Sequence, residues 1–286
     1  LGLLDIHGYT RFCQEFRHNL SMLDLLDKMI QEDIFSICAK GGVLSRRANG
    51  DEILLLGASA ADVLVVIMRI MEYFAQRRRI HEPDGPTLPV ALRDFTLPEF
   101  QISAGMAGGQ KFTTLVITQD GDLSGDIVNT AARLQARANR ISPTRNKILV
   151  TSHVCQKLKN HSQPELAETL ARIEFLNTGT IDFKGISLMV HDIIILPDES
   201  HRLGYKDLME ELFEALEKGM WKSRVLESAI ALASRLVANT PEAAFGRREK
   251  GGNHSVSKNH LNAKILMSRK YFEDEEFEKA IQTFAY

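Results

Sequence analysis

The sequence predicts an α+β fold: a sheet with helices over residues 1–198, followed by a smaller all-α region over 199–286. Three observations carry this expectation. Strand-like and helix-like segments follow one another irregularly up to Leu196, which describes a sheet with helices packed on one face rather than a repeated βαβ unit. Asn49-Gly50 sits between two apolar runs and is the strongest short hairpin signal a sequence offers. From Tyr205 onward, apolar residues such as Leu208, Leu212, Leu216, Leu226, Ile230 and Leu236 recur only at helical spacing.

Leu1 to Ile6 reads as a buried strand that Gly8-Tyr9-Thr10 turns into a helix, with Thr10 as its N-cap. A second helix is expected over Ser21 to Lys40 and is broken by Gly41-Gly42. Val43 to Ala48 and Glu52 to Leu56 form the hairpin strands, and a helix capped by Ser59 runs to about Arg77. The proline-bearing stretch His81 to Glu99 reads as an inserted loop. Strands are expected at Phe100 to Met106 and Phe112 to Thr118, then a helix opened by Gly125, then a strand at Ile148 to Thr151 with Ser152 capping a helix to Lys159. Arg172 to Leu176, Gly179 to Phe183 and Leu188 to Leu196 read as closing strands. Gly219 to Pro241 and the stretch ending Phe277-Glu278-Lys279-Ala280-Ile281 each resemble half of a tetratricopeptide unit; a plain helical hairpin fits them equally well.

At 286 residues and a net charge of -2 with both signs interspersed, the chain has room for two cores and no electrostatic footprint for nucleic acid. Cys13, Cys38 and Cys155 are few and widely spaced, as in a reducing, cytoplasmic setting, and no metal-ligand spacing links them to histidines. The most apolar helix, Ala61 to Phe74, is too short to span a bilayer. The start at Leu1 without methionine reads as a piece of a longer protein, one that elsewhere has room for a membrane attachment.

Chemistry is concentrated in a few segments. Asp5 stands at the end of a buried strand, beside a glycine turn and a helix N-terminus at Gly8, Tyr9 and Thr10, which makes a metal carboxylate next to an anion site. Asp51 stands at the hairpin tip, and the strand ends of one sheet can bring both aspartates around two Mg²⁺ or Mn²⁺ ions, roughly 3.5 to 4 Å apart, as in-line displacement at phosphorus requires. Asn129 and Arg133 lie one turn apart on a single helical face, an amide and a guanidinium able to hold an oxyanion as charge develops on it.

Asp5-Ile6-His7-Gly8-Tyr9-Thr10, Asn49-Gly50-Asp51-Glu52, Gly105-Met106-Ala107-Gly108-Gly109, Gly125 through Arg133 and Phe183-Lys184-Gly185 stand in the order of, and resemble, the class III adenylyl and guanylyl cyclases. The resemblance covers Leu1 to Leu196. It implies a ferredoxin-like sheet akin to the polymerase palm and a head-to-tail homodimer with two shared active sites. It further implies metal binding by Asp5, Ile6 and Asp51 of one protomer, with Asn129 orienting the ribose and Arg133 stabilising the transition state from the other. Lys184, together with Gly8, Tyr9 and Thr10, would hold phosphates.

For base recognition, family adenylyl cyclases carry a lysine three residues before the hairpin glycine and an aspartate three before the helix-leading glycine; guanylyl cyclases carry glutamate and cysteine there. Arg47 and Asp122 occupy these positions, a pair that suits adenine first and is also able to read guanine. Adjacent strand residues face opposite ways, so only one of Arg46 and Arg47 points at the base. Gln110 to Asp120 replaces the glycine-rich hairpin usual in the family. The implied activity is an adenylate cyclase-type phosphorus–oxygen lyase producing a 3',5'-cyclic nucleotide and pyrophosphate. The alternatives are a cyclase-like module that binds nucleotide or dimerises without turnover, and an interaction protein working through partners of its C-terminal helices.

Overall fold

The computed structural model describes residues 1–76, 100–109, 115–117, 123–183, 186–196 and 213. The expectations for the 81–99 loop, Asp122, Lys184 and the C-terminal helices lie outside these residues, apart from one helical position at Phe213. The chain divides into two compact units, Leu1–Ile193 and Ile194–Tyr286.

The first unit is organised by strand β1 (Gly2–His7), which pairs antiparallel with β3 (Glu52–Leu56) on one side and β4 (Gln101–Met106) on the other. Strand β2 (Leu44–Asn49) forms the hairpin with β3. The order β2-β3-β1-β4, all antiparallel, with helices joining β1 to β2 and β3 to β4, is the split βαβ pattern of ferredoxin-like folds. Beyond β4 the sheet continues through β7 (Lys147–Thr151), parallel to it, and then β9 (Ile186–Ile195) and β8 (Ile173–Phe183).

Alternation along β1 sends Gly2, Leu4 and Ile6 to one face and Leu3, Asp5 and His7 to the other. On the first face Leu4, Ile6, Ile53 and Leu55 are fully buried. Helix α4 (Ala60–Gln76) closes over them, Val63 and Ile67 lying above Gly2 where a Cβ would meet Val63 at 2.9 Å. Each such aliphatic side chain contributes about 1.5–3 kcal/mol of burial. Ser59 caps α4 as the sequence predicts, accepting from Asp62 N at 3.1 Å, and Asp62 returns the bond by accepting from Ser59 N at 3.0 Å.

The second face carries helix α5 (Asp126–Ile141), so the helices are not confined to one face as expected. Gly105 explains the docking. A Cβ there would lie 2.2 Å from the Ala131 carbonyl oxygen and 2.4 Å from the Gln135 nitrogen, so only glycine lets the α5 backbone rest on β4.

Other differences are local. Gly8, with φ 87°, is the N-cap of α1 (Tyr9–Glu15), replacing Thr10, because the sharp exit from β1 uses the left-handed region. Thr151 rather than Ser152 caps α6 (Ser152–Lys159), its hydroxyl accepting from Val154 N at 3.5 Å. The expected Ser21–Lys40 helix is split: α2 (Leu20–Lys28), a π-helical segment Met29–Ile34, and α3 (Phe35–Lys40), with Asn19 accepting from Met22 N at α2's start. Helix α7 (Pro164–Ala171), with proline at its first turn, was not expected. The strands expected at Arg172–Leu176 and Gly179–Phe183 are one, β8, where the Thr178 hydroxyl donates to Val190 O at 2.8 Å. Of the expected Phe112–Thr118 strand, the described residues retain β5 (Val116–Ile117), paired with β6 (Leu123–Ser124).

Candidate functional site

Asp5 faces α5 from the middle of the sheet, directly opposite Glu52 on β3 and Ser103 on β4. Asn139 of α5 donates its amide hydrogen to Asp5 Oδ2 at 3.2 Å, and His7 Nε2 lies 3.9 Å from the same oxygen. Burial, and behind it the negative charges of Asp51 and Glu52, push the Asp5 carboxyl up to about 7. Asp51, at the hairpin tip, is also raised by burial and by Glu52, with its own backbone amide and Arg47 pulling the other way. Burial lowers His7, which favours the neutral imidazole next to Asp5.

Asp5 and Asp51 are thus both held above the ordinary carboxylate range, first by burial and then by their acidic neighbours, where β1 meets the hairpin. A divalent cation relieves that crowding, and the donor set suits Mg²⁺ or Mn²⁺: carboxylate oxygens without His or Cys ligands. Among the described residues no group of three or more His, Cys, Asp or Glu side chains is arranged to enclose a metal by itself. Ile6 belongs to this set only through its backbone carbonyl, since its side chain is fully buried on the opposite face.

Asn129 and Arg133 sit on the side of α5 that turns away from the sheet. Thr130, Ala131, Leu134, Gln135 and Ala138 form the buried stripe, with Gln135 donating to Ser103 Oγ at 2.9 Å. At 100° per residue the opposite stripe is Asn129, Arg133, Ala136 and Arg140, and Asn129 is exposed. The helix body therefore stands between this pair and Asp5 of the same chain. The pair is brought together on one face, as its spacing predicts, but it is directed outward.

At the anion end, Gly8 is exposed and Thr10 is exposed, while the Tyr9 ring leans against the hairpin tip. Tyr9 is engaged by a residue the sequence assigns to base recognition. Arg47 donates to the Tyr9 hydroxyl at 2.8 Å, to the Asp27 carboxylate of α2 and to the Gly50 carbonyl, and its guanidinium lies 5.9 Å from the Tyr9 ring centroid. It ties the hairpin tip to α1 and α2 on the face opposite Asp5. Asp122 and Lys184, the remaining expected residues, lie outside the described residues.

Asn139, Glu52, Asp27 and Gly105 escaped the sequence reading. Glu52 and Gly105 stood inside the matched motifs without a stated role, whereas Asn139 carries no local signal: its place beside Asp5 comes from the angle at which α5 crosses β1.

No family model and no curated protein matches the chain. Among solved structures it is similar to an adenylate/guanylate cyclase/hydrolase from Silicibacter pomeroyi, at 22% identity over 69% of this chain and 96% of that one, with a TM-score of 0.43. It is similar also to the adenylyl cyclase CyaB from P. aeruginosa (18% identity, 69% and 94%, TM-score 0.49). The guanylate cyclase domain of RhGC from Catenaria anguillulae, solved in complex with GTP, aligns at 17% identity over 68% and 95%, with a TM-score of 0.46. With TM-scores below 0.5 these likenesses carry no weight for function, which has to be argued from the side chains.

Proposed function

We propose that residues 1–198 form the catalytic domain of a nucleotidyl cyclase, ATP preferred, working as a homodimer, and that residues 199–286 regulate it or dock a partner. The observation that carries the reading is the crowding of Asp5, Asp51 and Glu52, which raises the Asp5 carboxyl to about 7 by burial and by its acidic neighbours. A bound cation would remove that penalty. The outward stripe of α5 supports the shared site: Asn129 and Arg133 are turned from the aspartates of their own chain, as residues serving those of a second copy would be.

The reaction is attack of the ribose 3'-oxygen on the α-phosphorus of a nucleoside triphosphate. The new P–O bond closes the 3',5'-ring, the bond to the bridging oxygen of the β-phosphate breaks, and the ribose hydroxyl loses its proton. Asp5 and Asp51, with the Ile6 carbonyl, would hold the cations; when bound, these activate the nucleophile and offset charge on pyrophosphate. Asn129 orients the ribose, Arg133 meets the charge developing on the α-phosphate oxygens, and Lys184 binds the terminal phosphates as a point charge.

Incubation of the protein with ATP or GTP and Mg²⁺ or Mn²⁺ is expected to yield cyclic nucleotide, at a rate above that of an Asp51→Ala control. Mixing inactive Asp51→Ala with inactive Asn129→Ala should restore about one working site per heterodimer. Product no greater than the control refutes the cyclase reading, and a dead mixture in which heterodimers form refutes the shared site.

A further inference from the structure

Strand β1 carries a second chemical feature two residues beyond Asp5. Side chains at positions i and i+2 of a strand share a face, about 6.6 Å apart along the chain. Asp-x-His on one strand is therefore a chelating spacing, a carboxylate and an imidazole side by side, and Asp5 and His7 both stand on the α5 face. Their side chains are 14% and 8% exposed, and His7 Nε2 lies 3.9 Å from Asp5 Oδ2.

The imidazole is the anomaly of this face. Neither ring nitrogen makes a hydrogen bond of normal geometry to a protein group, although the Pro143 backbone is near enough to act on the ring. A buried polar group in that position has given up water without compensation, at a cost of about 1–3 kcal/mol. Asp5 Oδ2, by contrast, is oriented by the Asn139 amide at 3.2 Å. An ionised carboxylate has no proton to give, and it repels the lone pair of a neutral imidazole turned toward it. A cation between the two atoms removes that repulsion. A tetrahedral ion bound by both would set nitrogen and oxygen about 3.4 Å apart, roughly 0.5 Å closer than they stand, which a small rotation of the imidazole supplies.

We propose that Asp5 Oδ2 and His7 Nε2 form a site for a borderline divalent cation of the Zn²⁺ or Co²⁺ type, separate from the carboxylate set toward Asp51 and sharing Asp5 with it. Imidazole favours such ions over Mg²⁺, whose preferred ligands are oxygen atoms. Asn139 on the carboxylate and Pro143 beside the imidazole are the outer partners that orient metal ligands. Two protein ligands leave half of a tetrahedral shell to water, so the ion is held reversibly, unlike a structural zinc with four. The site stands on the geometry of β1, and only its consequence rests on the cyclase reading: an ion on Asp5 Oδ2 competes for the carboxylate that would hold Mg²⁺, and so inhibits turnover.

The probe is Zn²⁺ alone, titrated calorimetrically into the metal-free protein, with Mg²⁺ as the comparison. His7→Leu is expected to weaken Zn²⁺ binding by about 100-fold or more, because losing even a group that only orients a ligand costs about 10- to 100-fold. Mg²⁺ affinity should stay within about threefold of wild type, its ligands being oxygen. Should His7→Leu fail to fold, X-ray absorption at the zinc edge decides the question: at one equivalent, wild type should show imidazole scattering that Asp5→Asn loses. Equal Zn²⁺ affinity in wild type and His7→Leu, or scattering from oxygen alone, overturns the site and leaves Asp5 and His7 sharing a proton. Cyclic nucleotide formation tests the consequence. Zn²⁺ should inhibit wild type in competition with Mg²⁺, and His7→Leu, measured against its own zinc-free rate, should resist it. Turnover that ignores Zn²⁺ bound at His7 overturns the inhibitory role. Zn²⁺ bound through His7 in a protein that never forms cyclic nucleotide retires the cyclase reading and leaves the site, whereas turnover without His7-dependent Zn²⁺ binding does the reverse.

Discussion

The two faces of the central sheet are built from the same strands and differ in the polar groups they bury. The face under α4 is aliphatic: Leu4, Ile6, Ile53 and Leu55 meet Val63 and Ile67, and all six are buried. The face under α5 sets two apolar clusters, Leu3 with Leu54, Ala107 and Ala131, and Leu134 with Ala138, Leu149 and Val190, beside polar groups: Asp5, His7, Gln101, Ser103, Gln135 and the buried Lys147–Asp192 ion pair. Because side chains alternate, a single residue step in β1 separates a group that stabilises the fold from one that would hold a cation. The apolar face gains its stability from burial, which is indifferent to pH. The polar face gives part of that back, since an ion pair or a carboxylate taken out of water repays its desolvation only with good partners.

Replacing Asp5 by Asn should separate the two faces most sharply. Turnover is expected to fall by about 1,000-fold or more, the loss of several kcal/mol of cation-mediated stabilisation. Metal-free stability should move the other way. A carboxyl whose folded pKa is raised, here from 3.8 to about 7, binds its proton more tightly in the native state, so native stability declines as pH climbs from 4 to 7 and stays low above that. Asp5→Asn removes this dependence: the variant should match wild type near pH 4 and melt at a higher temperature near pH 8. Chemical denaturation across that range checks it, and parallel wild-type and variant curves would mean that Asp5 ionises without hindrance.

Ile53, fully buried opposite Leu4 on the apolar face, supplies the counter-experiment. Ile53→Ala should cost about 2–5 kcal/mol of unfolding free energy through lost burial and the cavity left behind, at every pH. The kcat of the molecules that remain folded should stay near wild type. A kcat loss as deep as that of Asp5→Asn would show that the apolar face positions the catalytic groups and that the division drawn here is wrong.

Most of the apolar face could be read from the sequence and much of the polar one could not, for physical reasons. Apolar alternation, Asn49-Gly50 and Ser59 as an N-cap are short-range signals, so β1, the hairpin and the start of α4 lie where expected. That Asn129 and Arg133 share one face of α5 likewise follows from the helical period, whereas which face is buried does not. Register is different. The Asn-Gly turn announces a hairpin but is silent about a bulge at Ala48, which exchanges the two arginines between faces. Nor does any local pattern say that Gly105 must receive the α5 backbone, or that α5 lies on the face the other helices leave open, because those facts belong to pairs of segments distant in sequence. Long-range packing decided them, and the residues involved are those nearest the chemistry.

The smallest effect tests how the polar face holds its carboxylate. Asn139 donates to Asp5 Oδ2 at 3.2 Å, and a hydrogen bond to the ionised form lowers a carboxyl's pKa. Asn139→Ala should therefore move Asp5 further up, away from the charge state that binds a cation. Mn²⁺ affinity is expected to drop about tenfold near pH 7, the usual scale for removing a group that orients a metal ligand. The deficit should shrink as pH rises, because at high enough pH Asp5 is ionised with or without the amide. Calorimetric titration of wild type and variant between pH 6.5 and 9 distinguishes this from a steric account. A deficit that is constant with pH would mean that Asn139 shapes the α5 seat and leaves the proton on Asp5 alone, and the electrostatic coupling between the helix and the strand would then have to be abandoned.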